Sequence, residues 1–136
     1  MTIIIDANCA HRVKSSDADG AILLKFIISG KLPCVTGGKH KEELAKTALG
    51  GLLQQLQLAG VLMDVEVDPL EDSCNAKLRS DDPHIVALAL SSGCRLLFTH
   101  DQLLIDDFTD VDIVPRPRGK IFKYAAHVKL LEEACR

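Results

Sequence analysis

Ser80-Asp81-Asp82-Pro83-His84-Ile85-Val86-Ala87-Leu88-Ala89-Leu90-Ser91-Ser92-Gly93-Cys94-Arg95-Leu96-Leu97-Phe98-Thr99-His100-Asp101 is the stretch from which the fold is read. Ser80 to Pro83 has the form of a helix start, with an acid at the N-cap and Pro in the first turn. Ile85 to Leu90 is apolar on every side, so the helix is expected to be deeply buried, and Gly93 can end it. Leu96-Leu97-Phe98 then reads as a central strand, with Asp101 just beyond its carboxyl end.

The same alternation continues outward in both directions. Residues 2–5 read as a buried strand. Residues 18–29 carry Ile22, Leu23, Phe26 and Ile27 at helical spacing and stop at Gly30. Pro33 to Thr36 reads as a second strand. Beyond Gly37-Gly38 a long helix is expected, with Leu44, Ala45, Ala48, Leu49, Leu52, Leu53 and Leu56 on one face and a break near Gly50-Gly51. In residues 61–67, Val61, Met63, Val65 and Val67 alternate with Leu62, Asp64 and Glu66, the pattern of an edge strand with one wetter face. Val111 to Val114 is a candidate last strand. Residues 120–134 are predicted to form a closing helix with Ile121, Tyr124, Ala125, Val128 and Leu131 inward. Short strands alternating with helices imply an α/β domain with a mainly parallel sheet.

The chain of 136 residues suits one domain, 47% apolar and 26% charged, with a core of its own. No apolar run approaches the roughly 20 residues of a membrane span, and Met1-Thr2-Ile3-Ile4-Ile5-Asp6 lacks the basic start of a signal peptide. A cytoplasmic location is the expectation. Cys9, Cys34, Cys74, Cys94 and Cys135 form no CxxC pair, which argues against a disulfide framework or thiolate zinc site and for free, mostly buried thiols. No GxGxxG, GxxxxGK[ST] or GxSxG occurs, so nucleotide-loop and serine-hydrolase readings lack support.

In open parallel sheets, ligands bind beyond the carboxyl ends of the strands. Asp6 follows the first strand, Asp101 the Leu96–Phe98 strand, Asp82 opens the buried helix, and Glu42 and Glu43 lie in the first turns of the long helix. Each has a bland explanation alone, because acids at helix starts satisfy free N–H groups and the helix dipole. Together they point to a hard cation, since clustered carboxylates repel unless opposite charge is supplied. Oxygen ligation favours Mg²⁺ or Mn²⁺.

Three stretches carry a resemblance: Ile3-Ile4-Ile5-Asp6-Ala7-Asn8, Asp82-Pro83-His84-Ile85-Val86-Ala87-Leu88-Ala89, and Leu96-Leu97-Phe98-Thr99-His100-Asp101. In this order and spacing the chain resembles the PIN domains, small metal-dependent ribonucleases that include the VapC-type toxins. The resemblance implies a three-layer α/β/α sandwich whose mainly parallel central sheet has about four to five strands. It implies that Asp6, Glu43, Asp82 and Asp101 are catalytic metal ligands, with Glu42 an alternative to Glu43, and that Asn8 and Thr99 position carboxylates or water by hydrogen bonds. Asp81 and Asp106, with Asp107, are possible additional acids, though a solvated helix face is the plainer explanation for the last two. The implied reaction is in-line attack of metal-activated water on an RNA phosphodiester, leaving a 5′-phosphate and a 3′-hydroxyl. An antitoxin protein and a homodimer partner are family expectations. The approach Thr36-Gly37-Gly38-Lys39-His40-Lys41 departs from the common toxin pattern.

A net charge of −3 leaves phosphate binding to local clusters. Lys39 and Lys41, and Arg116, Arg118, Lys120 and Lys123, are candidates for RNA contacts flanking the acids; solvated surface is the competing explanation. His11, His84 and His100 match no standard ligand spacing, and the metal scheme does not require them. Cys9 reads as packing. A phosphoacceptor receiver domain would want paired acids after the first strand, where Asp6 stands alone. A catalytically silent PIN-like scaffold is the other rival.

Overall fold

A computed structural model of the chain describes residues 1–14, 18–68 and 78–135. Its strands are β1 (Ile4–Ile5), β2 (Cys34–Thr36), β3 (Leu62–Asp64), β4 (Leu96–Phe98) and β5 (Lys120–Phe122). Its α-helices are α1 (Ala10–Lys14), α2 (Ala18–Ile28), α3 (Gly38–Ala45), α4 (Leu53–Leu58), α5 (Pro83–Ser92), α6 (Gln102–Phe108) and α7 (Val128–Ala134). The fold is mixed α/β, with a parallel sheet in the order β1-β4-β5 and a parallel pair β2-β3. The two are joined by a parallel bridge between Ile3 and Cys34, where Ile3 N–H donates to the Pro33 carbonyl at 3.0 Å and Val35 N–H to the Ile3 carbonyl at 2.9 Å.

Successive strand residues face opposite sides, and two apolar clusters follow from that. Ile3, Ile5, Cys34, Leu62, Leu96, Phe98 and Phe122 join Val13, Leu23, Ile27, Leu44 and Leu131. Ile4, Val35 and Leu97 join Ile85, Val86, Leu88 and Ala89 of α5, Leu104 and Phe108 of α6, and Val114. α5 is buried from His84 through Ala89, as its all-round apolarity requires, and Gly93 closes it in the left-handed conformation at φ 76°. Truncating Leu88 to Ala would cost on the order of 2–5 kcal/mol.

Several expected elements differ. Residues 111–114 are turns, not a strand: the Asp110 carbonyl accepts from the N–H groups of Ile113 and Val114, and its carboxylate from that of Asp112. The last strand is β5, inside the segment expected to be helical. The chain there divides into β5, a 3₁₀ turn at Ala125–His127 and α7, so Leu131 is buried while Tyr124 is 46% exposed. The long helix breaks before its glycines. α3 stops at Ala45, where the Thr47 hydroxyl donates to the Leu44 carbonyl at 2.6 Å and accepts from Leu49 N–H at 3.2 Å. Ala45 and Ala48 are exposed rather than inward. In β3 it is Leu62 that enters the core, whereas Met63 is 41% exposed.

No helix among the described residues is long and apolar enough to cross a membrane. Cys9, Cys34 and Cys94 are free and buried, and Cys135 is free and half-buried; Cys74 lies outside the described residues. Burial pushes the Cys9 thiol up to about 11, with help from the charge of Asp6, and that of Cys34 up to about 12. These thiols stay protonated at neutral pH, which agrees with packing as their role.

Candidate metal centre

Parallel strands end together, so Asp6 after β1 and the Thr99–Asp101 segment after β4 share one end of the β1-β4-β5 sheet. Asp6 is 2% exposed. Its Oδ1 accepts from Asn8 N–H at 3.1 Å and its Oδ2 from the Thr99 hydroxyl at 2.7 Å. The same hydroxyl accepts from Asp101 N–H at 3.1 Å. Thr99 thereby ties the end of β1 to the end of β4. Asn8 meets Asp6 through its backbone, and its side chain is exposed.

Asp101 caps α6, its Oδ1 accepting from Leu103 N–H at 3.0 Å and Leu104 N–H at 3.4 Å. Asp82 occupies the cap position of α5 but makes no side-chain cap hydrogen bond. Its backbone (φ −118°, ψ 54°) lies outside the extended geometry of a capping residue, and the Ile85 N–H donates to the Asp82 carbonyl at 3.2 Å rather than to the carboxylate. Burial raises the Asp82 pKa above the ordinary carboxylate range, and so do the charges of Asp6, Asp101 and Glu43, with His84 acting in the opposite sense. All four expected acids thus belong to one electrostatic cluster.

Glu43 enters from α3, which begins directly after β2 because Gly37 allows a close approach: a Cβ there would lie 2.0 Å from the Val65 carbonyl oxygen. Glu43 Oε2 is 2.8 Å from His84 Nε2, and Asp82 Oδ1 is 3.9 Å from the same nitrogen. Glu43, Asp82 and His84 each offer a ligand atom within 4.8 Å of the others. Glu42 is exposed on the preceding position of the helix, Asp81 is exposed, and Asp106 is an exposed acceptor for Gln102 at 2.9 Å.

His40, one helical turn before Glu43, is fully buried. Its Nε2 is 2.7 Å from the Ile5 carbonyl, which only accepts, so Nε2 carries the proton and Nδ1 accepts from the Thr36 hydroxyl at 2.8 Å. Burial depresses its pKa, against the opposing bond to Ile5, which fits a neutral ring. His84 lies 4% exposed, with neither ring nitrogen in a well-formed hydrogen bond among the described residues.

The segment leading into Asp82 is anchored by Asp107, which is fully buried rather than on a solvated helix face. Its carboxylate accepts from Arg79 N–H at 3.0 Å, Ser80 N–H at 2.9 Å and the Ser80 hydroxyl at 2.7 Å. Burial alone would push that carboxyl up. The backbone N–H groups of Arg79 and Ser80, then their side chains, hold it below the usual range.

The basic residues divide differently from expectation. Lys120 begins β5 beside Leu96, the first residue of β4, and Arg118 donates to the Thr109 carbonyl at 3.0 Å. The Arg116–Lys120 cluster therefore lies at the opposite end of the sheet from the acids and does not flank them. Lys41 is paired with Asp64, and Lys39 is exposed. Lys123 follows β5 on the acidic end, with its Nζ 5.4 Å from the Tyr124 ring centroid. Tyr124 stands edge-on to His100 at 5.4 Å and tilted against His127 at 5.7 Å. Sequence reasoning missed this patch by placing Tyr124 inward on a continuous helix. It also passed over His84, whose only signal was proximity to Asp82 at a helix start.

Comparison with protein-family models gives no match, and neither does comparison with curated proteins or with solved structures.

Proposed function

We propose that the chain is a divalent-metal-dependent ribonuclease of the PIN type, with Mg²⁺ or Mn²⁺ held by Asp6, Glu43, Asp82 and Asp101. The observation that carries this is Asp82, a carboxylate at a helix start that caps nothing and is pushed toward protonation by burial and three like charges. Native structures tolerate such repulsion where a cation relieves it. The oxygen-rich donor set fits a hard ion. When bound, the ion would polarise a phosphoryl oxygen and lower the pKa of water. The chain's own contribution is placement: Thr99 holds Asp6, the α6 N-terminus holds Asp101, and Asp107 holds the lead into Asp82.

The Ile3–Cys34 bridge supports reading the strands as one parallel series, β3-β2-β1-β4-β5, with apolar layers on both faces. That agrees with a PIN-like three-layer sandwich. RNA is favoured as substrate by an aromatic and cationic group on the acidic side, exposed Tyr124 and His127 with half-buried His100 and Lys123, where bases would stack and a phosphate would be neutralised. A cytoplasmic location, an antitoxin partner and a homodimer are parts of the same proposal.

The test is direct. Purified protein with Mn²⁺ or Mg²⁺ cleaves single-stranded RNA to 5′-phosphate products, and Asp82→Asn abolishes cleavage. Equal cleavage by both proteins, or none by either across metals and RNAs, overturns the reading. Metal binding without cleavage would instead select the silent scaffold, which the structural use of Asp6 and Asp101 in hydrogen bonding also favours.

A further inference from the structure

We infer that His84 is itself a metal ligand, making the centre a mixed nitrogen–oxygen site that selects Mn²⁺ and similar first-row ions over Mg²⁺. The inference rests on reading the acidic cluster as a metal centre, and it adds a donor that the carboxylate scheme leaves out.

His84 is 96% buried, at 4% exposure, yet neither ring nitrogen makes a well-formed hydrogen bond among the described residues. Buried polar atoms are satisfied in the great majority of native structures, so each exception calls for a cause. The neighbouring His40 supplies the contrast, because both of its nitrogens are engaged, with Thr36 and Ile5. His84 Nε2 faces carboxylate oxygens instead, Glu43 Oε2 at 2.8 Å and Asp82 Oδ1 at 3.9 Å. The short contact has the length of an ion pair without the alignment of an N–H···O bond.

These separations suit shared ligation. Donors about 2.1 Å from one ion lie about 3 Å apart when adjacent and about 4.2 Å apart when opposite. Both observed distances fall close to or within that span, and all three donor atoms lie within 4.8 Å of one another. An imidazole suits first-row transition ions and adds little for Mg²⁺, which prefers oxygen and retains its waters. His84 is fixed for this role by its place in the buried first turn of α5.

The experiment uses the full chain and Mn²⁺ itself. Titration followed by electron paramagnetic resonance gives Mn²⁺ affinity, competition gives Mg²⁺ affinity, and pulsed measurements on the bound ion detect ¹⁴N coupling. Wild type is expected to show nitrogen coupling. His84→Gln is expected to lose it, to bind Mn²⁺ at least about tenfold more weakly, and to change Mg²⁺ affinity far less. Mn²⁺ bound to wild type without nitrogen coupling overturns the inference and leaves the acidic metal centre standing. Failure of wild type to bind Mn²⁺ or Mg²⁺ removes the centre and the inference together. Because the coupling is read in wild type, the result holds even if His84→Gln folds poorly, and His40→Gln, expected to retain the coupling, distinguishes the two imidazoles.

Discussion

Replacing Thr99 by Val keeps the shape of a fully buried side chain and removes one oxygen. That oxygen donates to Asp6 Oδ2 at 2.7 Å and accepts from Asp101 N–H at 3.1 Å. A hydrogen bond to a charged carboxylate contributes about 1.5–3 kcal/mol, and stranding a partly buried N–H costs about 1–3 kcal/mol. The expected loss is therefore about 4 kcal/mol, a large share of the stability of a domain this size. At about 3–5 °C per kcal/mol, Tm falls by roughly 12–20 °C. Urea unfolding in EDTA, with the m-value unchanged, measures the loss without any contribution from metal. Thr99→Ser keeps both bonds and gives up a methyl group, so it should lose only about 1 kcal/mol. In an Asp6→Asn background the Thr99→Val penalty should shrink, because the charged acceptor is gone. A valine variant as stable as the serine variant, or a penalty unchanged by Asp6→Asn, would refute the bridging role.

Asp82→Asn should raise stability at pH 7 in EDTA by about 1 kcal/mol, the scale of one like-charge contact. The raised Asp82 pKa penalises the native state at neutral pH and relieves it as pH falls through the folded value toward 3.8, so the advantage of the variant in urea melts should vanish near pH 4; a constant advantage would count against the cluster. His40 has the opposite sign: its depressed pKa leaves the native ring neutral while the unfolded chain takes up a proton below about 6.5. Stability should therefore drop between pH 7 and pH 5 in wild type and less so in His40→Gln; identical slopes would exclude that contribution. Asp107→Asn should cost about 2–4 kcal/mol, and wild type should lose its advantage as pH falls below 3.8 through the lower folded pKa; a loss under 0.5 kcal/mol in chemical denaturation would contradict the anchor. Tyr124→Ala, at an exposed position, should leave Tm within a degree or two while weakening single-stranded RNA binding by about 5–100-fold; unchanged affinity in a fluorescence titration would remove the patch from the RNA path.

The parts of the fold legible from residues alone were those with a single physical demand. α5 needed burial on all sides and carried Pro at one end and Gly at the other, so its limits could be read. β5 could not, because Lys120-Ile121-Phe122 is only three residues long and runs into apolar groups at helical spacing. Val111 to Val114 looked like a strand by composition, but Asp110 draws its N–H groups into a turn. The placement of Asp6 and Asp101 at one end of the sheet was legible because acids after strand ends are local signals. His84 was not, because its environment is set by Glu43, which comes from a different part of the chain and meets it only after α3 packs beside α5.

Asp6 and Asp82 are two unequal members of the proposed centre. One has both oxygens committed to a backbone and a hydroxyl, so its position is settled before anything arrives. The other makes no side-chain cap hydrogen bond and has its Oδ1 3.9 Å from His84 Nε2. In the proposed centre the pinned carboxylate would set where an ion stands, and the one without a cap bond would turn to suit the ion's radius.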